Sequence, residues 1–460
     1  MAEVDLADIQ GFILRGYTMP AVRHFLLRVG DAAAARRFLG GLVSGDEAAS
    51  PQLTTAQVWT VKPDYCLNVA LTFDGLKALG LPAATLSSFP AEFQAGAIAR
   101  AESVGDTGPG APALWEPPFN STDVHVILSL YAAGRDVLEA RTATLKALFE
   151  RGGGMAEAGR RDGYELPDGK VHFGYQDGIS QPNIEGAPGR KVTDMQPVSP
   201  TGAFVLGYPS QFVDFTYPVP QPAELGHNGS FVAFRVLQQD CAGFERFLTE
   251  NAPKVGMSPE KLAAKLCGRW RNGVPIELSP DTDSPQPPIP REEYNDFDYV
   301  VSPDNPNGFD DRKGYRCPIG SHLRRNNPRG ERVAGGDDGR KHRIIRRGIA
   351  YGPPFDPGHS DDGVERGLLG LFIGVSLLDQ FEFLMSQWVN EGIFTPGIGG
   401  TKDPILGAND PATAKFTIPD PAGAKTITGF SRFVITRGSA YGFLPSATAL
   451  RFLASAAPTP

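Results

Sequence analysis

Seven histidines, at positions 24, 125, 172, 227, 322, 342 and 359, are the first candidates for metal or proton chemistry. No HExxH or HxH spacing occurs among them, so no familiar metal-hydrolase site is implied, and a lone histidine is ordinarily a satisfied core or surface residue. His322 differs in its setting, CPIGSHLRRNNPRG (Cys317–Gly330). An imidazole with aliphatic residues on one side and several arginines on the other suits a haem. The ring nitrogen binds iron and the guanidiniums pair with the two propionates. A second segment, FGYQDGISQPNIEG (Phe173–Gly186), places Gly174 and Gly178 four apart, with Asp177 before the second. Asp-Gly is a common turn dipeptide. The alternative is that both glycines let backbone approach a flat ligand at which Asp177 is aimed. A third segment, HRIIRRGIAYGPPFDP (His342–Pro357), sets Ile344 and Ile345 beside Arg346 and Arg347. It reads as a strand end with one arginine turned inward, or as a solvated edge.

Strands followed by helices must position these segments. His24–Val29, Leu67–Phe73 and Asp123–Leu130 have the length and apolar pattern of strands, and each runs into a helical pattern: Asp31–Leu42, Asp74–Leu79 and Arg135–Phe149. The second half repeats this grammar. Ser230–Leu237 leads to a helix at Asp240–Leu248, Lys261–Trp270 is helical, and Gly367–Ser376 precedes an amphipathic helix carrying Phe381, Leu384, Met385 and Trp388. Phe430–Thr436 reads as the last strand. The pattern predicts an α+β fold, helices packed on one face of a sheet, duplicated in outline. Pro- and Gly-rich stretches at Gly186–Glu224, Ser279–Pro290 and Ser302–Asp338 are long enough to carry function or cover a site.

Composition narrows the classes. The 460 residues include 54 Gly and 41 Pro, which predicts many turns, and 41% hydrophobic content supports a core large enough to enclose a cofactor. A net charge of −8 gives the chain no electrostatic reason to bind nucleic acid or an anionic membrane. Against that background, twelve Lys or Arg but only three acids (Glu331, Asp337, Asp338) lie between Arg312 and Arg347. This is a solvated basic loop or a built-in site for an anionic ligand. The four cysteines form neither CxxC nor CxxCH, so any haem is expected to be non-covalent, with no iron–sulfur or zinc site. The N-terminus lacks a positive n-region and no apolar run reaches 18 residues, so a cytoplasmic protein without a membrane span is expected. GxSxG, Walker A and Rossmann fingerprints are absent.

GYQDG, CPIGSHLRRNNPR and RRGIAYG, in that order, resemble the GxxDG, proximal-histidine and distal-arginine segments of dye-decolourising peroxidases of the longer bacterial and fungal branch. DIQGFILRGY, GSFVAFRVLQQD, LCGRWRNGVP and QFEFLMSQWVN agree in order and spacing, so the resemblance covers nearly the whole chain. It implies two ferredoxin-like units. Residues 1–200 would carry the GxxDG loop, and residues 201–460 would hold most of one non-covalent haem b per chain. By the same resemblance His322 matches the axial ligand and Asp177 the distal aspartate. Arg346 matches the distal arginine, with Arg347 the competing choice. Asp403 matches the acid that accepts the other ring N–H of the axial histidine, Arg329 a propionate partner, and Gly178 and Ile179 backbone beside the cofactor. The implied reaction reduces hydrogen peroxide and oxidises small aromatic or dye donors through a ferryl intermediate; an oligomer is compatible with the sequence.

Two positions depart from the family pattern. Ala350 stands where Pro is common, and Gly370 stands where many relatives carry a bulky aromatic, which implies a roomier or differently packed distal cavity.

Overall fold

The computed structural model describes residues 3–44, 50–188, 195–301, 309–333, 339–358, 361–393 and 395–455. Asp337, Asp338 and His359 lie outside this set.

Each half of the chain builds the same four-stranded antiparallel sheet. In the first half the order along the chain is β1 (Ala21–Val29), the helix Ala32–Ser44, β2 (Tyr65–Leu71), β3 (Val126–Ala132), the helix Arg135–Arg151 and β4 (Met155–Tyr164). Two short strands, β5 (Asn183–Ile184) and β6 (Val198–Ser199), pair in parallel between the halves. The second half runs β7 (Ser230–Gln239), the helix Cys241–Asn251, β8 (Ile345–Tyr351), β9 (Gly367–Gly374), two π-helical turns at Leu377–Glu382 and Leu384–Val389, the hairpin β10 (Lys415–Ile418) and β11 (Lys425–Thr428), and β12 (Val434–Leu444). The sheet order is β4-β1-β3-β2-β12-β7-β9-β8. In each half the first strand is flanked by the fourth and third, the ferredoxin-like arrangement. The two units fuse where Leu71 of β2 pairs with Phe443 of β12.

Burial explains why these segments are strands. Every residue of β2 and most of β1 and β7 are buried, as expected where both faces of a sheet are covered. The last strand begins later than its pattern suggested, at Val434, and runs on through Gly438 and Gly442. Those glycines resemble a turn in sequence, but a Cβ at Gly438 would come within 2.4 Å of the Phe119 ring and one at Gly442 within 2.9 Å of Ala70. The chain needs them so that neighbouring layers can approach. The amphipathic stretch after β9 is π-helical rather than a plain α-helix, and it buries Phe381 and Met385 in the main core and Leu384 and Trp388 in a smaller cluster with Val333.

One buried ion pair ties the halves across the sheet. Arg235 on β7 makes two 2.6 Å hydrogen bonds to the Asp106 carboxylate, and Thr436 on β12 donates to the same carboxylate at 2.6 Å. Both charges are almost wholly buried. Asp106→Ala leaves the Arg235 guanidinium uncompensated, with an expected loss of about 3–5 kcal/mol of stability. Urea denaturation measures it; a loss below about 1 kcal/mol would mean that water replaces the carboxylate.

Candidate active site

His322 opens the short helix His322–Asn326, and the Cys317 thiol and Ser321 hydroxyl meet at 3.3 Å just before it. Its Nδ1 hydrogen-bonds Asp403 Oδ2 at 2.9 Å. Among the described residues nothing bonds its Nε2, and the ring keeps 23% of its surface accessible. Asp403 is fully buried. The backbone N–H groups of Ile405 and Leu406 each donate to its Oδ1 at 2.9 Å, and Asn326 Nδ2 donates to its Oδ2 at 3.1 Å. Burial alone would raise this carboxyl, but the His322 and Arg325 charges and these hydrogen bonds outweigh it and hold it below the usual carboxylate range.

The arginines beside His322 are not free for an outside anion. Arg324 is completely buried, paired with Asp311 and Glu331. Arg325, equally buried, donates to the carbonyls of Trp388 and Thr401 at 2.8 and 2.9 Å, and burial pushes its guanidinium down to about 10. Arg329 is a different case. It adopts a left-handed φ of 56° and donates from Nη1 to the carbonyls of Asn295 and Phe297 at 3.0 and 2.9 Å. Beside it Arg269 donates to the carbonyls of Gly273 and Tyr294 and to Asn295 Oδ1. Burial, then the like charge of Arg329, pushes Arg269 down to about 10. Among the described residues neither makes an ion pair with a carboxylate. Two adjacent buried cations satisfied only by neutral oxygens are costly unless an anion joins them.

On the other side, the loop of Phe173–Gly186 is built by backbone bonds: Gly174 N–H to the Val171 carbonyl at 2.7 Å, Gln176 N–H to the Arg271 carbonyl at 2.9 Å, and Asp177 N–H to the Gly169 carbonyl at 3.1 Å. The two glycines then separate in role. A Cβ at Gly174 would meet the Arg271 side chain at 3.2 Å, so Gly174 serves the turn. Gly178 has φ 73° and nothing within 4 Å of where its Cβ would be, which leaves its face open to a ligand. Asp177 is exposed and its Oδ1 accepts from the Gly178 N–H at 2.7 Å. The Ile179 carbonyl accepts from Asn295 Nδ2 at 2.5 Å, which links this loop to the Arg269–Arg329 pair.

Strand alternation decides between the two arginines of β8. Arg347 faces the barrel core and donates to the carbonyls of Phe12 and Ile13. Arg346 faces the opposite way, onto the loop, donating from Nη2 to the Ser180 carbonyl at 2.9 Å. Gln181 clamps its backbone, accepting from Arg346 N–H at 3.1 Å and donating to the Arg346 carbonyl at 2.7 Å. The Arg346 side chain is partly accessible. Burial pushes its guanidinium below the usual arginine range and the Asp177 charge opposes the fall. Cys267 ends the helix Pro259–Cys267, and burial pushes its thiol up to about 12.

Residues 8–156 match the family model described as the DyP dimeric alpha+beta barrel domain. A dye-decolorizing peroxidase of Mycetinis scorodonius is 31% identical over 99% of this chain and 88% of its own. The chain belongs to the dye-decolourising peroxidase family. A multifunctional dye peroxidase of an Amycolatopsis species is 30% identical over 97% of this chain and 96% of its own. Among solved structures, a dye-decolorizing peroxidase in complex with 2,6-dimethoxyphenol superposes with a TM-score of 0.82 at 28% identity, covering 98% of this chain and 100% of that one. A dye-decolorizing peroxidase whose heme pocket was engineered for asymmetric sulfoxidation gives a TM-score of 0.81 at 26% identity, again covering 98% and 100%.

In this peroxidase the two departures have structural answers. Ala350 continues β8, paired with Leu368. A Cβ at Gly370 would lie 2.9 Å from the Phe372 ring, which points to the same face of β9 and takes up the space beside it. Sequence reasoning missed Arg269, which lies inside the quoted segment LCGRWRNGVP but carries no motif of its own, and Asn326, whose partner is 77 residues away.

Behind the His322 helix lies a carboxyl pair that sequence reasoning also missed. Glu277 is wholly buried against Asp311, whose own oxygens are taken by Arg324 and the Arg316 and Cys317 N–H groups. Burial, then the Asp311 charge, pushes Glu277 up to about 9. A folded-state value above the ordinary one means that the folded chain binds the extra proton. The stability it confers is full below the ordinary carboxylate range and is lost as pH rises toward 9. Glu277→Gln, which keeps a neutral group, is expected to raise Tm relative to the parent at pH 8 more than at pH 4.5. An equal change at both pH values would place the Glu277 titration outside this range.

Proposed function

We propose that this peroxidase holds a non-covalent haem b through His322 Nε2, with Asp177 and Arg346 handling hydrogen peroxide on the opposite side. The observation that carries this reading is the pairing of an unbonded, accessible Nε2 with an Nδ1 fixed on a buried carboxylate, the arrangement that sets ligand orientation and basicity in metal-bound histidines. Among the described residues no three His, Cys, Asp or Glu side chains converge as a metal site, so His322 offers one ligand to a metal that brings its others with it. The Arg269–Arg329 pair supplies buried positive charge for the propionates, and the open face of Gly178 leaves room for a flat ring. When bound, the haem supplies iron that takes up the two oxidising equivalents of peroxide and returns them to two one-electron donors.

The protein's own groups divide the proton work. The Asp177 carboxylate moves a proton from one oxygen of hydrogen peroxide to the other, which leaves as water. Arg346, turned onto the loop by β8 and clamped by Gln181, stabilises negative charge on the leaving oxygen without having to reorganise. Small phenols and dyes are the donors that relatives' names and complexes suggest.

His322→Ala is expected to lose haem or its characteristic spectrum. Arg346→Leu should keep haem and react with one equivalent of peroxide about a hundredfold or more slowly. Asp177→Ala should slow the same step by a similar order. Stopped-flow absorbance at the Soret band reads all three. Unchanged peroxide kinetics in both Arg346→Leu and Asp177→Ala would remove the distal roles.

A further inference from the structure

The oxygen that orients His322 is shared. Asp403 Oδ2 accepts from His322 Nδ1 at 2.9 Å and from Asn326 Nδ2 at 3.1 Å, while the same Asn326 amide also donates to the His322 carbonyl at 2.8 Å. The two Asn326 amide protons are thus taken by the His322 carbonyl and by Asp403, with the amide nitrogen 3.4 Å from His322 Nδ1. The remaining oxygen, Oδ1, is saturated by the Ile405 and Leu406 N–H groups. The only acceptor strength that Asp403 can lend the imidazole is what Asn326 leaves on Oδ2. Two donors on one oxygen each receive a weaker bond than either would alone, because each draws on the same lone-pair density.

We propose that Asn326 limits how strongly the imidazole donates to iron by competing with His322 for Asp403 Oδ2. This rests on the reading of His322 as the axial ligand. A carboxylate with one donor polarises the ring N–H more and makes the imidazole a better donor, which favours the ferric over the ferrous state. Asn326 moderates that effect and keeps the Asp403–His322 contact in the range of an ordinary hydrogen bond. It is a positioning residue, acting on the cofactor only through Asp403 and His322.

A structural prop and a competitor predict opposite signs. The test uses the haem-loaded protein with Asn326→Leu, which removes the donor at similar volume, and Asn326→Ser, which is smaller and shortens the donor's reach. Asp403→Asn gives the direction in which a weakened ring hydrogen bond moves each readout. In ferrous protein the iron–histidine stretching band of both Asn326 variants is expected to rise in frequency, opposite to Asp403→Asn. The ferric-to-ferrous ratio at a fixed applied potential is expected to rise about 2- to 10-fold, the range one hydrogen bond supplies. If both variants follow Asp403→Asn, or leave the band and the ratio where they were, the competition is overturned. Absence of an iron–histidine band in the unsubstituted protein would instead overturn the axial assignment itself.

Discussion

A carboxylate with no access to water survives only where donors replace its hydration, and Asp403 is such a group. Its side chain takes two backbone N–H groups on one oxygen and two side-chain donors on the other. Its main chain is held equally hard: its N–H donates to the Val389 carbonyl at 2.7 Å, and its carbonyl accepts from Gly407 N–H and Asn409 Nδ2. Val389 ends the second π-helical turn, and the carbonyl of its neighbour Trp388 accepts from Arg325 on the His322 helix. Helix, π turn and loop are thus fixed by reference to one another, and the imidazole inherits its orientation from all three. Loosening Asp403 would release not one hydrogen bond but the mutual placement of the His322 helix, the π turn and the Asp403 loop.

Asp177 and Arg346 follow a different logic. Asp177 is exposed and accepts within the described residues from its own neighbour's N–H, and Arg346 has a single carbonyl at 2.9 Å on its guanidinium. Rigidity here is placed in the backbone, through Gln181 and the turn bonds, while the functional atoms keep spare hydrogen-bonding capacity. A metal ligand benefits from over-determination, whereas groups that relay a proton must be able to exchange partners. The fold meets both needs of the proposed roles, because His322 and Asp403 sit in a packed helix-and-loop core while Asp177 and Arg346 sit at the junction of a glycine loop and a strand.

Much of this was legible in the chain itself. Alternating or continuous apolar runs gave β1, β2, β3, β7 and β9, since hydrophobic period reports directly on burial. β4, MAEAGRRDGY, was not legible: it is mostly half-exposed and carries two glycines and three charges in its centre, so its strand state comes from pairing with β1. The basic segment shows the limit from the other direction. Counting charges offers a solvated loop or an anion site, yet Arg324 and Arg325 are neither: inside the protein Arg324 is ion-paired with Asp311, and Arg325 is held by carbonyls such as that of Thr401. Sequence gives the charge of a side chain, whereas burial and the carbonyls it meets belong to chain segments tens of residues away. Arg269, Asn326 and Glu277 escaped notice for that reason.

Gly370 illustrates how much a period-2 strand can absorb. Gly370 and Phe372 point to the same face of β9, and Phe372 lies opposite Arg346 in the pairing with β8. A side chain two residues further along stays on that face and sits two pairs along the ladder, here opposite Arg346. A one-residue shift would have sent the ring into the barrel core, among Leu369, Leu371 and Ile373, and broken the fold. Steps of two residues along β9 keep a ring on the face where Phe372 packs on Phe381, with ring centroids 5.5 Å apart, and leave the core behind it undisturbed.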